Sequence, residues 1–348
     1  VRGAVQARID VANTHGGVHN RQIDIEWRDD ESSSVTFGAA ARELVDNAHV
    51  FGLVAQTAAL DRPAADWLQS AGVPVTGLAT SALWGEYPDL FHFGSLFNEG
   101  GAVDTFGRYV KAQGGSKAFL VTDPNAAASQ GLATQLVPSL ESQGIELVGR
   151  TTYSASTSSP TKIVDLMRKD GADALVGVLS ADGFIDIYAA AKAAGTGLHV
   201  ALSANNYGPA ALRQRGADMA GMSMTMAFQS YTSNSPAIQA YSAAMADYAP
   251  EVANPFDDIA ITAYAAADEM ITGLQLAGAC PTRQSFITSL RKVRTYDAGG
   301  LMAPTDISRP GDPATCFNFL KVNKTGTGFA PVPGNTPTGF WCGTKIAS

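Results

Sequence analysis

At 348 residues the chain exceeds what one ordinary hydrophobic core organises, and two units of about 150 residues each are expected. A composition that is 45% hydrophobic and 16% charged, with 35 glycines, suits helices packed on sheets and excludes a disordered or coiled-coil chain. The net charge of −8 offers no basic stripe for phosphates and excludes nucleic acid as a partner, and no apolar run reaches the roughly 18 residues a membrane-spanning helix needs.

In chain order, a helix-like run (residues 1–11) leads into Ala12-Asn13-Thr14-His15-Gly16-Gly17-Val18, then Asn20-Arg21, an alternating strand pattern over residues 23–27 and the acidic pair Asp29-Asp30. Ser32-Ser33-Ser34 suits the cap of a helix over residues 36–47. From there strand-like runs alternate with helical patterns. The expected order is strand 50–54, helix 63–71, strand 73–76, helix 101–113, strand 118–122, helix 129–143, strand 146–151, helix 160–169, strand 174–179, helix 184–194, and strands 200–203 and 221–227. Helices 236–248, 259–277 and 282–293 follow. Many of the strands are short, continuous apolar runs, as expected where both faces of a parallel sheet are covered. Gly72, Gly114-Gly115, Gly144, Gly171 and Gly195 each stand between a helix and a strand, where a left-handed helix end belongs. This rhythm predicts an α/β protein built of βαβ units in doubly wound, mostly parallel sheets.

Three cysteines are present, and none forms C-x-x-C, so no thioredoxin-like or zinc-knuckle site is offered. Cys316 begins a strand-like run and Cys342 lies just past the run that returns from it. Either these two form a disulfide that pins the C-terminal tail, which would favour an exported protein, or Cys280, Cys316 and Cys342 are three buried thiols. The stretch rich in Pro, Gly and Thr over residues 325–339 reads as surface loop.

The succession Gly16-Gly17-Val18-His19-Asn20-Arg21, Asp29-Asp30, Ala39-Ala40-Ala41-Arg42-Glu43-Leu44-Val45, Phe51-Gly52-Leu53-Val54-Ala55-Gln56-Thr57-Ala58-Ala59, Gly72-Val73-Pro74-Val75 and Leu78-Ala79-Thr80 resembles the type I periplasmic-binding-protein family. The branch it resembles is that of the leucine/isoleucine/valine-binding proteins of ABC importers. Asn20 stands where the family has a glycine, and Asn tolerates the left-handed conformation best after Gly. The resemblance implies a two-lobed fold with three hinge crossovers. Lobe 1 is then residues 1–115 plus 254–312, and lobe 2 residues 116–253 plus 313–348. It also implies an N-terminal strand, export signal or lipid anchor preceding residue 1, a periplasmic or cell-surface location, a membrane permease as partner, and a monomer that catalyses nothing and needs no cofactor.

Ligands of open α/β sheets sit beyond the carboxyl ends of the strands, where backbone N–H groups and helix N-termini converge. The candidate ligand-binding residues at such ends are Gln56, Thr57, Ala58, Ala79 and Thr80 in lobe 1 and Ser180, Asn205 and Tyr207 in lobe 2, with Phe97 and Trp84 as further aromatic walls. The resemblance implies that an acidic residue of lobe 2 takes the ammonium of an amino-acid ligand. Here that position holds Asn205, which cannot neutralise a buried cation. A neutral or anionic organic molecule, such as an aromatic or alicyclic acid, is therefore expected rather than a zwitterionic amino acid. The alternatives are a ligand-sensing module of the same fold, such as an amide sensor or receptor ectodomain, and a branched-chain amino-acid binder.

Enzymatic constellations are missing from the sequence: it holds no Gly-x-Ser-x-Gly elbow, Walker loop or H-E-x-x-H. His15 and His19 are separated by Gly16-Gly17 and share no helical face, so no metal site is expected. Asp29-Asp30 reads as a cap on the following helix rather than a catalytic dyad, and Met219–Met226 as a core strand.

Overall fold

The structure is a computed structural model that describes residues 1–94, 101–205 and 207–346. Its strands are β1 (Leu53–Ala55), β2 (Val75–Gly77), β3 (Leu90–His92), β4 (Lys117–Thr122), β5 (Glu146–Thr152), β6 (Ala174–Val178), β7 (Val200–Ser203), β8 (Ser223–Met226), β9 (Cys316–Val322), β10 (Phe329–Pro331) and β11 (Trp341–Cys342). The helices are α1 (Arg2–Thr14), α2 (Ser34–Arg42), α3 (Arg62–Ser70), α4 (Thr105–Ala112), α5 (Ala127–Ser142), α6 (Pro160–Lys169), α7 (Ala181–Ala193), α8 (Pro209–Met219), α9 (Pro236–Tyr248), α10 (Asp258–Ala277) and α11 (Arg283–Leu290). By packing, the chain divides into a first unit, Val1–Glu99 with Ser235–Asp312, and a second, Gly100–Asn234 with Pro313–Ser348.

These units divide after residues 99, 234 and 312, so α4 packs with the second unit and α9 with the first. Contacts between elements distant in sequence account for both. Tyr109 of α4 stacks on Phe319 of β9, with ring centroids 3.8 Å apart and planes within 9°, and its hydroxyl donates to Ser223 Oγ of β8 at 2.7 Å. On α9, Tyr241 is fully buried and meets Tyr264 of α10 edge-on at 5.0 Å.

The first unit carries a parallel sheet in the order β1-β2-β3. Its core joins Leu53, Val75 and Leu90 of the strands to Leu68 and Ala65 of α3 and Phe37 and Ala41 of α2. Helix α10 is buried along most of its length, with Ala263, Ala265, Ala266 and Ala267 fully enclosed. Such small side chains let the sheet come close: Thr76 Oγ1 of β2 donates to the Ala266 carbonyl at 2.8 Å. Punctuation follows the residues. Ser33 caps α2, Asp61 caps α3 by accepting from Ala64 N, and Thr282 and Ser285 form a reciprocal box at the start of α11.

The strand expected over residues 23–27 is not formed. No described strand lies beside it to complete a ladder, and the side chain of Asn13 takes that role at one residue: its Nδ2 donates to Ile23 O and its Oδ1 accepts from Ile23 N, both at 2.9 Å. Asn13→Ala is expected to lower unfolding stability by about 1–2 kcal/mol, read by denaturant titration, because it leaves both Ile23 groups without that partner. Just before it, Val18 and Arg21 pair across a two-residue turn in which His19 (φ 50°) and Asn20 (φ 62°) are both left-handed. Asn20 thus adopts the conformation expected of it. A Cβ on Gly17 would lie 1.9 Å from Arg21 O, so that turn requires glycine there. Asp29 and Asp30 accept from Glu31 N and Ser32 N and close a turn ahead of α2; the helix cap itself is Ser33.

The second unit carries a sheet in the order β10-β9-β8-β7-β6-β4-β5, with β11 on β9. Strands β4 to β8 pair in parallel, and β9 turns antiparallel to β8. Every residue of β6, β7 and β8 is buried, which explains the apolar runs of β6 and of Val200 to Leu202 in β7. Met219, Met222, Met224 and Met226 fill this core, as the sequence suggested, against Phe184, Ile187 and Leu320. The supposed loop over residues 325–339 contains β10, which pairs antiparallel with the end of β9. Cys316 and Cys342 form a disulfide at facing positions of β9 and β11, while Cys280 is free and exposed.

Candidate ligand-binding loops

In the first unit, β1 and β2 end in the loops that carry Gln56, Thr57, Ala58, Ala79 and Thr80. The two loops are tied to one another: Thr80 Oγ1 donates to Thr57 O at 3.2 Å, and Leu78 N to Ala55 O at 3.4 Å. Thr57 Oγ1 accepts from Ala59 N at 2.8 Å and shapes its own turn. Ala79 is buried and Ala58 exposed. Both hydroxyls therefore build the loops. The Gln56 carboxamide does not: its Nε2 is enclosed and has no hydrogen-bond partner among the described residues.

In the second unit, Ser180 and Asn205 stand beyond the carboxyl ends of β6 and β7. Ser180 is the N-cap of α7, accepting from Gly183 N. Asn205 Nδ2 donates to Leu179 O, and its own N–H donates to Ser203 Oγ at 3.1 Å, so it braces the ends of β6 and β7. Tyr207 lies 3% exposed in the core of this unit. Its hydroxyl meets Ser203 Oγ at 2.9 Å and the Ala181 carbonyl at 3.2 Å, and burial pushes the phenol up to about 12. Of the carboxylates of this rim one is exposed and one half-buried, and neither is enclosed. Asp182 is an exposed residue in the first turn of α7, and Asp123 Oδ1 accepts from Asn125 N in a turn. The buried carboxylate among the described residues of the second unit is Asp104, which is held by Arg108 and by Thr344 N far along the chain from these loops.

Phe97 lies outside the described residues. Trp84 is fully buried within the hydrophobic core of the first unit, edge-on to His92 at 6.5 Å, and forms no wall open to a ligand. A cavity of about 240 Å³ in the first unit is lined by Val18, Arg21, Ile23, Phe51 and Leu274, and contains none of the loop residues above. Among the described residues, no cluster of His, Cys, Asp and Glu could hold a metal ion.

Sequence reasoning missed a buried polar cluster below the β1–β3 sheet. Asp89, at the start of β3, and Glu269, in α10, are 2% and 0% exposed, and none of their four carboxylate oxygens has a hydrogen-bond partner among the described residues. The nearby Arg291 spends its N–H groups on the carbonyls of Pro88, Leu90 and Ile307. No motif announces this arrangement, because the three residues are 20 or more positions apart.

The sequence matches the family described as periplasmic binding protein over residues 1–327. The chain belongs to the periplasmic binding protein family. Solved structures share the fold. A branched-chain amino acid ABC transporter from Thermus thermophilus with bound valine superposes with a TM-score of 0.74 at 16% identity, over 94% of this chain and 89% of that one. Two ABC transporter solute-binding proteins from R. palustris do likewise. One, in complex with 4-hydroxybenzoate, gives a TM-score of 0.73 at 18% identity over 95% and 90% of the two chains; the other, in complex with benzoate, gives 0.71 at 16% over 99% and 92%. No curated protein sequence matches the chain. As a periplasmic binding protein the chain binds a small solute rather than transforming it, and the family implies an ABC permease as its partner and an extracytoplasmic place of work. Among the described residues no helix is long and apolar enough to cross a membrane.

Proposed function

We propose that this binding protein captures a neutral or anionic small organic molecule, of the aromatic or alicyclic acid class, and delivers it to an ABC permease. Asn205 carries the reading. It stands at the end of β7 with its amide committed to Leu179 O, and the nearby carboxylates of that unit, exposed Asp182 and half-buried Asp123, are not enclosed. An ammonium drawn out of water there would lack a buried counter-charge, at a cost of several kcal/mol. Relatives of the same fold with bound benzoate and 4-hydroxybenzoate support the ligand class. The valine-bound relative supports the competing reading, a branched-chain amino-acid binder.

Thermal unfolding with benzoate, 4-hydroxybenzoate, cyclohexanecarboxylate, leucine, valine and glutamate separates the two. A ligand at 100 times its Kd adds roughly 2.7 kcal/mol to stability. The expected result is a clear upward shift with at least one acid and none with the amino acids. Submicromolar binding of leucine, valine or glutamate overturns the proposal.

A further inference from the structure

We infer that the Gln56 carboxamide is a side chain of the first unit that reads the ligand, donating an N–H to an acceptor oxygen of the bound molecule. The inference rests on the solute-binding reading above and deepens it by assigning the donor.

Four observations converge on it. Gln56 is the first residue past the carboxyl end of β1, in the row of loops where an open α/β sheet presents its ligand. The two threonine hydroxyls of those loops each make a contact within the loops, Thr57 Oγ1 accepting from Ala59 N and Thr80 Oγ1 donating to Thr57 O. The α3 N-terminus that follows is closed by Asp61, whose carboxylate disfavours a second anion there. By contrast Gln56 Nε2 is shielded from solvent and bonded to nothing among the described residues.

A buried amide donor without an acceptor is a standing cost to the fold, and such groups concentrate where function requires them. The Nε2 N–H groups only donate, so they select a carboxylate or carbonyl oxygen. Sites of this kind discriminate strongly, because the wrong ligand leaves the buried group unpaired.

The test uses wild-type protein, Q56A and Q56E with benzoate and benzamide as probes, by calorimetry. Q56A is expected to weaken benzoate about 10- to 100-fold. Q56E replaces the donor by an anion, and is expected to lose benzoate by more than Q56A while retaining benzamide, whose amide can donate to the new carboxylate. Equal benzoate affinity in wild type and Q56E overturns the inference. A wild-type protein that binds no acid sinks the ligand class alone, and Gln56 is then judged on the ligand-free protein. There Q56L should unfold at or above the wild-type temperature, since it removes an unsatisfied donor. Unfolding several degrees lower would mean that Nε2 has a structural partner, and overturns the assignment.

Discussion

Serine at both Cys316 and Cys342 is expected to lower the unfolding free energy by roughly 3 kcal/mol. The disulfide closes a loop across a sequence separation of 26, and the unfolded chain loses that constraint when the bond is absent. The surrounding contacts say which part of the fold then loosens. Strand β11 pairs with β9 only through Trp341↔Phe317 and Cys342↔Cys316. Two strand residues cannot hold a tail by ladder bonds alone, so other groups share the task. Asn335 brackets Cys342 through both its amide oxygen and nitrogen, Trp341 Nε1 donates to Val332 O, and Thr344 N donates to Asp104 Oδ1 at the start of α4. Trp341 also meets Tyr109 and Phe319 edge-on, at 5.4 and 6.0 Å. Losing the covalent link therefore weakens the packing of α4 on β9 as well as the tail. Denaturant unfolding with and without reductant measures it. Reduced wild type should match C316S/C342S, with a lower midpoint and a steeper slope, because the unlinked unfolded chain exposes more surface. A loss below about 1 kcal/mol would show that the non-covalent contacts suffice. Thiol titration of denatured, unreduced protein should find Cys280 alone.

Glu269→Met is expected to raise stability at pH 8 by about 1–4 kcal/mol and to change the pH profile of unfolding. The adjacent Asp268 shows what Glu269 lacks. Asp268 accepts from Arg8 Nε at 2.7 Å and from the Tyr296 hydroxyl at 3.0 Å, whereas Glu269 faces the core with neither oxygen bonded among the described residues. Burial pushes the Glu269 carboxyl well above the usual range, against a pull from Arg291, and pushes Asp89 up to about 6.

A raised carboxyl pKa means that the native state holds its proton longer than the unfolded chain does. This contribution to stability is therefore fully present below the ordinary carboxylate value near 4 and is lost as pH rises through the native value, about 6 for Asp89 and higher for Glu269. His92 acts oppositely. Burial holds its imidazole down to about 4, with Nε2 on Pro310 O, so its contribution is lost as pH falls from about 6.5 towards 4. The raw profile mixes both signs, and the difference between wild type and variant isolates the acid. That difference should be smallest near pH 4 and grow towards pH 8; a flat difference would mean that Glu269 is ionised at all these pH values and partnered.

Much of this protein was legible in its order of residues, and the reason is that the legible features are local. Unbroken apolar runs such as those of β6 and β7 mark strands covered on both faces. Helix caps such as Ser33 act on backbone groups within a few positions. The ordered succession from Gly16-Gly17 through Leu78-Ala79-Thr80 was enough to indicate the family. The facing of Cys316 and Cys342 could be anticipated because both flank a short antiparallel return.

What only the tertiary structure decided depends on partners distant in sequence. Residues 23–27 have a strand's alternation, yet a strand exists only where a neighbour completes its ladder, and Asn13 supplies that pairing for one residue. Helices α4 and α9 took their units from packing on elements distant in sequence, α4 on α5 and through Tyr109 on Phe319, α9 along α1 and through Tyr241 on Tyr264, which no periodicity encodes. Thr57, Thr80, Ser180 and Asn205 all looked alike as loop polar groups. The fold distinguished them by spending each one locally and leaving Gln56 Nε2 unspent. Hydrogen-bond satisfaction is a property of three-dimensional neighbours, which is why the strings around Gln56, Asp89 and Glu269 carry no mark of it.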